Sequence, residues 1–145
     1  MISPRLPFFL YGTLLPGERN HRLLLHEHSL SWTPAVLHAA LLFQGPGYPY
    51  AVPDPTGAGT VRGAVAVLDG PSAAAYEQVL AALDRLEGYV PGSAANHYER
   101  ARRNVLTESG EIDAWVYFAA DRTARELLLS GSRIDSGDWL DRAEP

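Results

Sequence analysis

Cysteine is absent from this 145-residue chain, which removes thiol nucleophiles, thiolate metal sites and disulfide frameworks from consideration. A basic excess is missing too. Seventeen acidic residues against 12 basic ones leave a formal net charge of −5, a balance that argues against nucleic acid or an anionic membrane as the main partner. No apolar run approaches the roughly 18 residues of a membrane span. The start, Met1-Ile2-Ser3-Pro4-Arg5-Leu6-Pro7, has two helix-breaking prolines and no apolar segment of signal-peptide length. These absences predict a soluble, cytoplasmic protein.

Several familiar chemistries are missing as well. Gly57-Ala58-Gly59-Thr60-Val61-Arg62-Gly63 has its third glycine one place too late for a dinucleotide fingerprint, and a strand is expected where a helix should begin. His26-Glu27-His28 lacks the i, i+4 spacing of a zinc helix, so with His21 it reads as a solvated surface and no metal site is expected. No Gly-x-Ser-x-Gly elbow is present, and Ser3, Ser29 and Ser31 stand in no triad context.

What is there reads as one domain over residues 1–145, without repeats or a dividing linker. Phe8-Phe9-Leu10-Tyr11 predicts a buried strand running into a turn. Asn20 to His28 predicts a short helix with Asn20 as N-cap. Strands are expected over Val36–Phe43 and Val61–Leu68, separated by a Gly/Pro-punctuated loop from Gly45 to Gly59 that suits a surface loop or a lid. The principal helix runs from Ser72 to Leu86, where Tyr76, Val79, Leu80, Leu83 and Leu86 trace one apolar stripe and Gly88 supplies a stop. Tyr98–Thr107 and Ile112–Phe118 read as a hairpin about Glu108-Ser109-Gly110-Glu111, and Thr123–Leu129 as a further short helix. Strands with one principal helix and short peripheral ones give an α+β fold, its small mixed sheet curled or closed into a barrel. Trp139, were it exposed, would mark an interface; the oligomeric state is not legible in the sequence.

Two segments carry chemistry. Tyr11-Gly12-Thr13-Leu14 follows a strand directly, and a glycine there lets successive N–H groups converge on an anion; an ordinary strand-end turn fits the same residues. Glu87 ends the amphipathic helix. A carboxylate there faces the negative end of the macrodipole and, if partly buried, has a raised pKa suited to a general base near neutrality. A solvated Glu without a role fits the position equally well. Tyr98 and Tyr117, on adjacent strands, either project hydroxyls into a pocket or satisfy them within the core.

Taken in order, Tyr11-Gly12-Thr13-Leu14, Gly17, Asn20-His21, Tyr48-Pro49, Val61-x-Gly63, Leu83-Asp84-x-Leu86-Glu87-Gly88, Tyr98-x-Arg100 and Val116-Tyr117 resemble the γ-glutamylcyclotransferase-like superfamily, in particular its γ-glutamylamine cyclotransferase-like branch. The resemblance implies a compact barrel with helices around it and an enzyme that releases 5-oxoproline and a free amine from a γ-glutamyl amide, without metal, nucleotide or other cofactor. It further implies Glu87 as the acid–base catalyst, backbone N–H groups of Tyr11, Gly12, Thr13 and Leu14 on the substrate carboxylate, and Pro49, Tyr98 and Tyr117 lining the cavity. An enzyme acting on a carrier-linked γ-glutamyl group shares these features; a binding module that has lost activity keeps the pocket, and the presence of Glu87 counts against it.

Overall fold

The structure is a computed structural model describing residues 6–12, 15, 18, 30–69 and 73–141. A closed barrel forms in the spatial order β1 (Phe8–Leu10), β5 (Thr60–Leu68), β2 (Leu30–His38), β6 (Tyr98–Thr107) and β7 (Gly110–Ala119). A second sheet has the order β4 (Pro49–Pro53), β3 (Ala40–Gln44), β8 (Ser132–Arg133). Helices α1 (Ala73–Leu86) and α2 (Asp121–Ser130) and a 3-10 turn at Trp139–Asp141 complete the described elements. This is the expected α+β architecture, with the sheet closed rather than merely curled.

The closure is made by β1. It pairs antiparallel with β5 on one side and parallel with β7 on the other, at Phe8 opposite Trp115. The Trp115 N–H donates to the Pro7 carbonyl at 2.9 Å beside that bridge. Alternation along the strands divides the core in two, because successive side chains leave opposite faces of a sheet. Phe9, Val61, Val65, Val105, Ala114, Val116 and Phe118 pack in one cluster. Phe8, Leu10, Ala66, Tyr117 and Ala119 pack in the other, which α1 joins through Tyr76, Val79 and Leu83. The apolar stripe of α1 is therefore what roofs the barrel, and Phe8 stacks on Tyr76 with ring centroids 5.5 Å apart.

The end of α1 is fixed by its backbone. The Tyr89 N–H donates to Asp84 O at 2.8 Å and the Gly88 N–H to Arg85 O at 3.2 Å, with Gly88 at φ 65°. This is a Schellman cap, which needs a left-handed residue and so selects glycine. It makes Glu87 the C-cap residue.

Three expected elements differ. The single strand over Val36–Phe43 is two strands in different sheets, broken at Ala39, which takes φ 59°. The apolar run contains no turn residue to signal the break. Ala39 is held there from outside: its carbonyl accepts the Asp54 N–H at 2.8 Å. The loop from Gly45 to Gly59 contains β4, paired with β3 in the register Leu41 opposite Val52. Its prolines stand at the two ends of an edge strand, where a missing N–H is tolerated, so proline there does not mean loop. The hairpin between β6 and β7 is also tighter than expected, with only Glu108 and Ser109 between paired Thr107 and Gly110. The helix expected over Asn20–His28 with its cap Asn20 and histidines His21, His26 and His28, and likewise Gly17 and Ser72, lie outside the described residues. Trp139 is buried, and its indole N–H donates to Glu18 Oε1 at 2.9 Å.

Among the described residues no helix is long and apolar enough to cross a membrane.

Candidate active site

The end of α1 meets the end of β1, the start of β4, the start of β6 and the end of β7. Each contributes one aromatic residue: Tyr11 just past β1, Tyr50 on β4, Tyr98 on β6 and Tyr117 on β7. All four are buried, and the charge of Glu87 acts on every one of their phenols, raising its pKa. Burial is the larger cause in each case. The phenols therefore remain protonated at any working pH, serving as donors and apolar walls rather than as bases.

Three of the hydroxyls are committed elsewhere. Tyr11 donates to the Tyr117 carbonyl and accepts the Ala51 N–H. Tyr98 donates to the Pro49 carbonyl at 2.8 Å. Tyr117 donates to Asp84 Oδ1 at 2.5 Å. Of the two readings of Tyr98 and Tyr117 left open by the sequence, the satisfied hydroxyl is the one observed.

Glu87 itself is half-buried, and its carboxylate accepts no hydrogen bond from any described residue. Desolvation raises its pKa from the ordinary 4.5 to about 7. The sequence reading pointed first to the macrodipole; loss of water is the cause that acts. No fully buried polar side-chain atom lacks a partner among the described residues, so the unpaired oxygens of Glu87 are ones that a solute can touch. An unpaired carboxylate in poorly solvated surroundings, poised near neutrality, can take and return a proton.

Gly12 and Pro49, named separately in the sequence, are brought together. A Cβ on Gly12 would stand 2.8 Å from both Cδ and Cγ of Pro49, so the chain there can pass Pro49 only as glycine. The Leu15 N–H closes the turn on Gly12 O at 3.1 Å. Thr13 and Leu14, expected between them as carboxylate binders, lie outside the described residues.

Sequence reasoning missed Tyr50, because its segment read as loop. The alternation Tyr48-x-Tyr50-x-Val52 was the available signal. Tyr50 stacks on Tyr98 at 4.8 Å, and Tyr48 stands edge-on to Tyr50 at 5.6 Å. Asp84 and Arg100 were quoted without a role. They form a partly buried ion pair at 2.9 Å beside Tyr117.

A separate cleft of about 760 Å³ runs between β2, β5 and the 3-10 turn, lined by Trp32, Pro34, Val36, Leu106 and Leu140 among others. It includes none of the four tyrosines and not Glu87. The perturbed carboxylate and converging rings favour the end of α1 over this cleft as the candidate site.

The family described as gamma-glutamyl cyclotransferase, AIG2-like, matches this chain over residues 8–141. A Vibrio cholerae protein provisionally named a gamma-glutamylcyclotransferase is 36% identical over 134 residues, which are 92% of this chain and 95% of that one. The crystal structure of YkqA from Bacillus subtilis superposes with TM-score 0.64 at 26% identity, covering 92% of this chain but 39% of YkqA. An AIG2-like protein of Mus musculus superposes with TM-score 0.61 at 23% identity over 79% of this chain and 77% of its own, a likeness of fold. With the fold, the Glu87 end of α1 and these similarities in agreement, the chain belongs to the gamma-glutamyl cyclotransferase, AIG2-like family.

Proposed function

We propose that this protein cyclises the γ-glutamyl group of a small amide, releasing 5-oxoproline and a free amine, with Glu87 as its acid–base catalyst. The observation that carries this reading is the desolvated carboxylate of Glu87, without a hydrogen-bond partner among the described residues and with its pKa near 7. Family membership supports cyclotransferase chemistry in general terms.

In a γ-glutamyl amide the nucleophile and the electrophile belong to one molecule. The α-ammonium gives a proton to Glu87, and the resulting amine attacks the γ-carbonyl carbon, closing a five-membered ring. The bond from that carbon to the amide nitrogen then breaks as Glu87 returns its proton to the leaving nitrogen. The α-nitrogen ends with two protons fewer and the released amine with two more, the second passing through solvent. Holding the folded conformer is most of the work, since orientation in such a reaction is worth up to roughly 7–11 kcal/mol. The turn at Tyr11–Leu14 anchors the substrate carboxylate through backbone N–H groups, Pro49 packs against it, and the rings of Tyr50, Tyr98 and Tyr117 keep water from Glu87. Backbone donors of the same turn stabilise the tetrahedral oxyanion.

The test is 5-oxoproline release from a panel of γ-glutamyl amines by the wild type and by Glu87→Gln. Release by the first and not the second is expected. A folded wild type that is inactive on the whole panel, yet still binds γ-glutamyl compounds, would replace the enzyme with a binding module.

A further inference from the structure

Two of the four tyrosines, Tyr117 and Tyr11, are tied into one linked set of hydrogen bonds, and the set has an anchor. The Arg100 Nη1 donates to both oxygens of Asp84, at 2.9 Å and 3.2 Å. The Tyr117 hydroxyl donates to the same carboxylate at 2.5 Å. The Tyr117 carbonyl accepts the Tyr11 hydroxyl, whose oxygen accepts the N–H of Ala51, next to Tyr50. Arg100 is gripped in turn: its guanidinium lies 4.8 Å from the Trp115 ring centre and 5.3 Å from that of Tyr89. The Trp115 indole N–H donates to the Tyr76 hydroxyl at 3.1 Å, which donates to Leu6 O. Asp84 stands three residues before Glu87, on the same side of the last turn of α1. The ion pair is therefore the side-chain tie between the helix end that bears Glu87 and the strands that bear its walls.

We infer that Asp84 and Arg100 are positioning residues for the reaction: they fix the last turn of α1 against β6 and β7 so that Glu87 stays enclosed by Tyr11, Tyr50, Tyr98 and Tyr117. The inference rests on Glu87 being the acid–base group. A surface ion pair contributes little, but both side chains here are largely shielded, 15% and 18% exposed, and the carboxylate has two partners to lose. Without it, Arg100 and the Tyr117 hydroxyl are both left seeking a new acceptor, and water gains access to Glu87. The titratable and charged groups facing Glu87 are the four phenols, from β1, β4, β6 and β7, with Asp84 and Arg100 behind Tyr117. None of these phenols ionises near neutrality, so the titration of Glu87 reports its own hydration.

The experiment follows the Glu87 carboxyl by carbon-detected NMR titration, with Glu87→Gln to assign the signal, in the wild type, Asp84→Ala and Asp84→Asn. The same proteins are assayed for 5-oxoproline release across pH. In Asp84→Ala the Glu87 pKa is expected to fall from about 7 toward the ordinary carboxylate range of roughly 4.3. The acid limb of kcat/KM should move down with it, and kcat should drop on the order of 10²-fold, as misplacement of a catalytic group does. Asp84→Asn keeps an acceptor for Tyr117 and should recover part of both. A folded Asp84→Ala with an unmoved Glu87 titration and an unmoved acid limb would overturn the inference. If Asp84→Ala does not fold, Arg100→Lys, which keeps a charge but loses the stacked fork, must show the same downward shift in smaller measure, and no shift overturns it equally. Wild type inactive on every substrate would refute the catalytic reading and with it the role in the reaction, and a titration still responding to Asp84 would then show a tie that encloses Glu87 and nothing more.

Discussion

Two carboxylates in this molecule are treated in opposite ways. Asp54 sits in the turn after β4, half-exposed, and accepts the Thr56 N–H and hydroxyl at 2.9 Å each and the Gly59 N–H at 2.7 Å. Its pKa is lowered, first by the Thr56 backbone bond. Glu87 accepts nothing from the described residues, and burial raises its pKa to about 7. The first carboxylate is used to build a turn: the fold consumes its lone pairs, and its charge serves structure. The second is carried at a cost to stability, with its lone pairs left over. A fold retains a group on those terms where chemistry needs it.

The strongest way to break this contrast is to remove the charge from Glu87. Glu87→Gln is expected to lower kcat on the order of 10²–10⁴-fold, with KM little changed, in a steady-state assay of 5-oxoproline release. A loss of under tenfold would put Glu87 on the same footing as Asp54. Next in size is Gly12→Ala. The added methyl meets the Pro49 ring at 2.8 Å and forces the turn away from β4, costing about 1–3 kcal/mol of stability as overpacking does. KM should rise more than kcat falls if the turn binds the substrate carboxylate.

A third prediction concerns stability and carries its sign from the pKa shift. Between the unfolded value near 4.5 and the folded value near 7 the native state binds the extra proton, so stability falls as pH rises through that window. Glu87→Gln should therefore be more stable than the wild type above pH 7, by roughly 2–3 kcal/mol, with the gain vanishing near pH 4. Asp54→Asn sharpens the comparison at the smallest scale. Its folded pKa is depressed, so its contribution is present above the unfolded value and is lost as pH falls. The variant should melt slightly below the wild type at neutral pH, match it in acid, and turn over substrate at the wild-type rate. Thermal melts of both variants at pH 8 would display shifts of opposite sign, each shrinking as the pH is lowered.

Much of this was legible in the sequence where one local rule decides. The stripe of α1 and Gly88 gave the helix, its cap and the placement of Glu87 at its end, because period and turn chemistry are local. The break at Ala39 was not legible, since the residue takes a left-handed conformation for reasons supplied by Asp54, 15 positions away in sequence. β4 was hidden by its prolines, whose tolerance depends on the strand being an edge, a property of the finished sheet. Tyr50 was lost with it. Asp84 and Arg100 stood in the quoted motifs, but their function as a tie needs Tyr117 from a third element. Residues could be named one element at a time; how Gly12 meets Pro49, Tyr50 meets Tyr98 and Asp84 meets Arg100 could not.

The closure by β1 has a kinetic consequence. Three residues near the start of the chain must find partners more than 50 and 100 positions later, in β5 and β7, and such long-range pairing is the slow part of folding. Tyr11 follows β1 directly, so the enclosure of Glu87 cannot be complete before that strand is in place. The helix signal should therefore recover during refolding before the catalytic signal does, and the interval between them times the locking of the barrel.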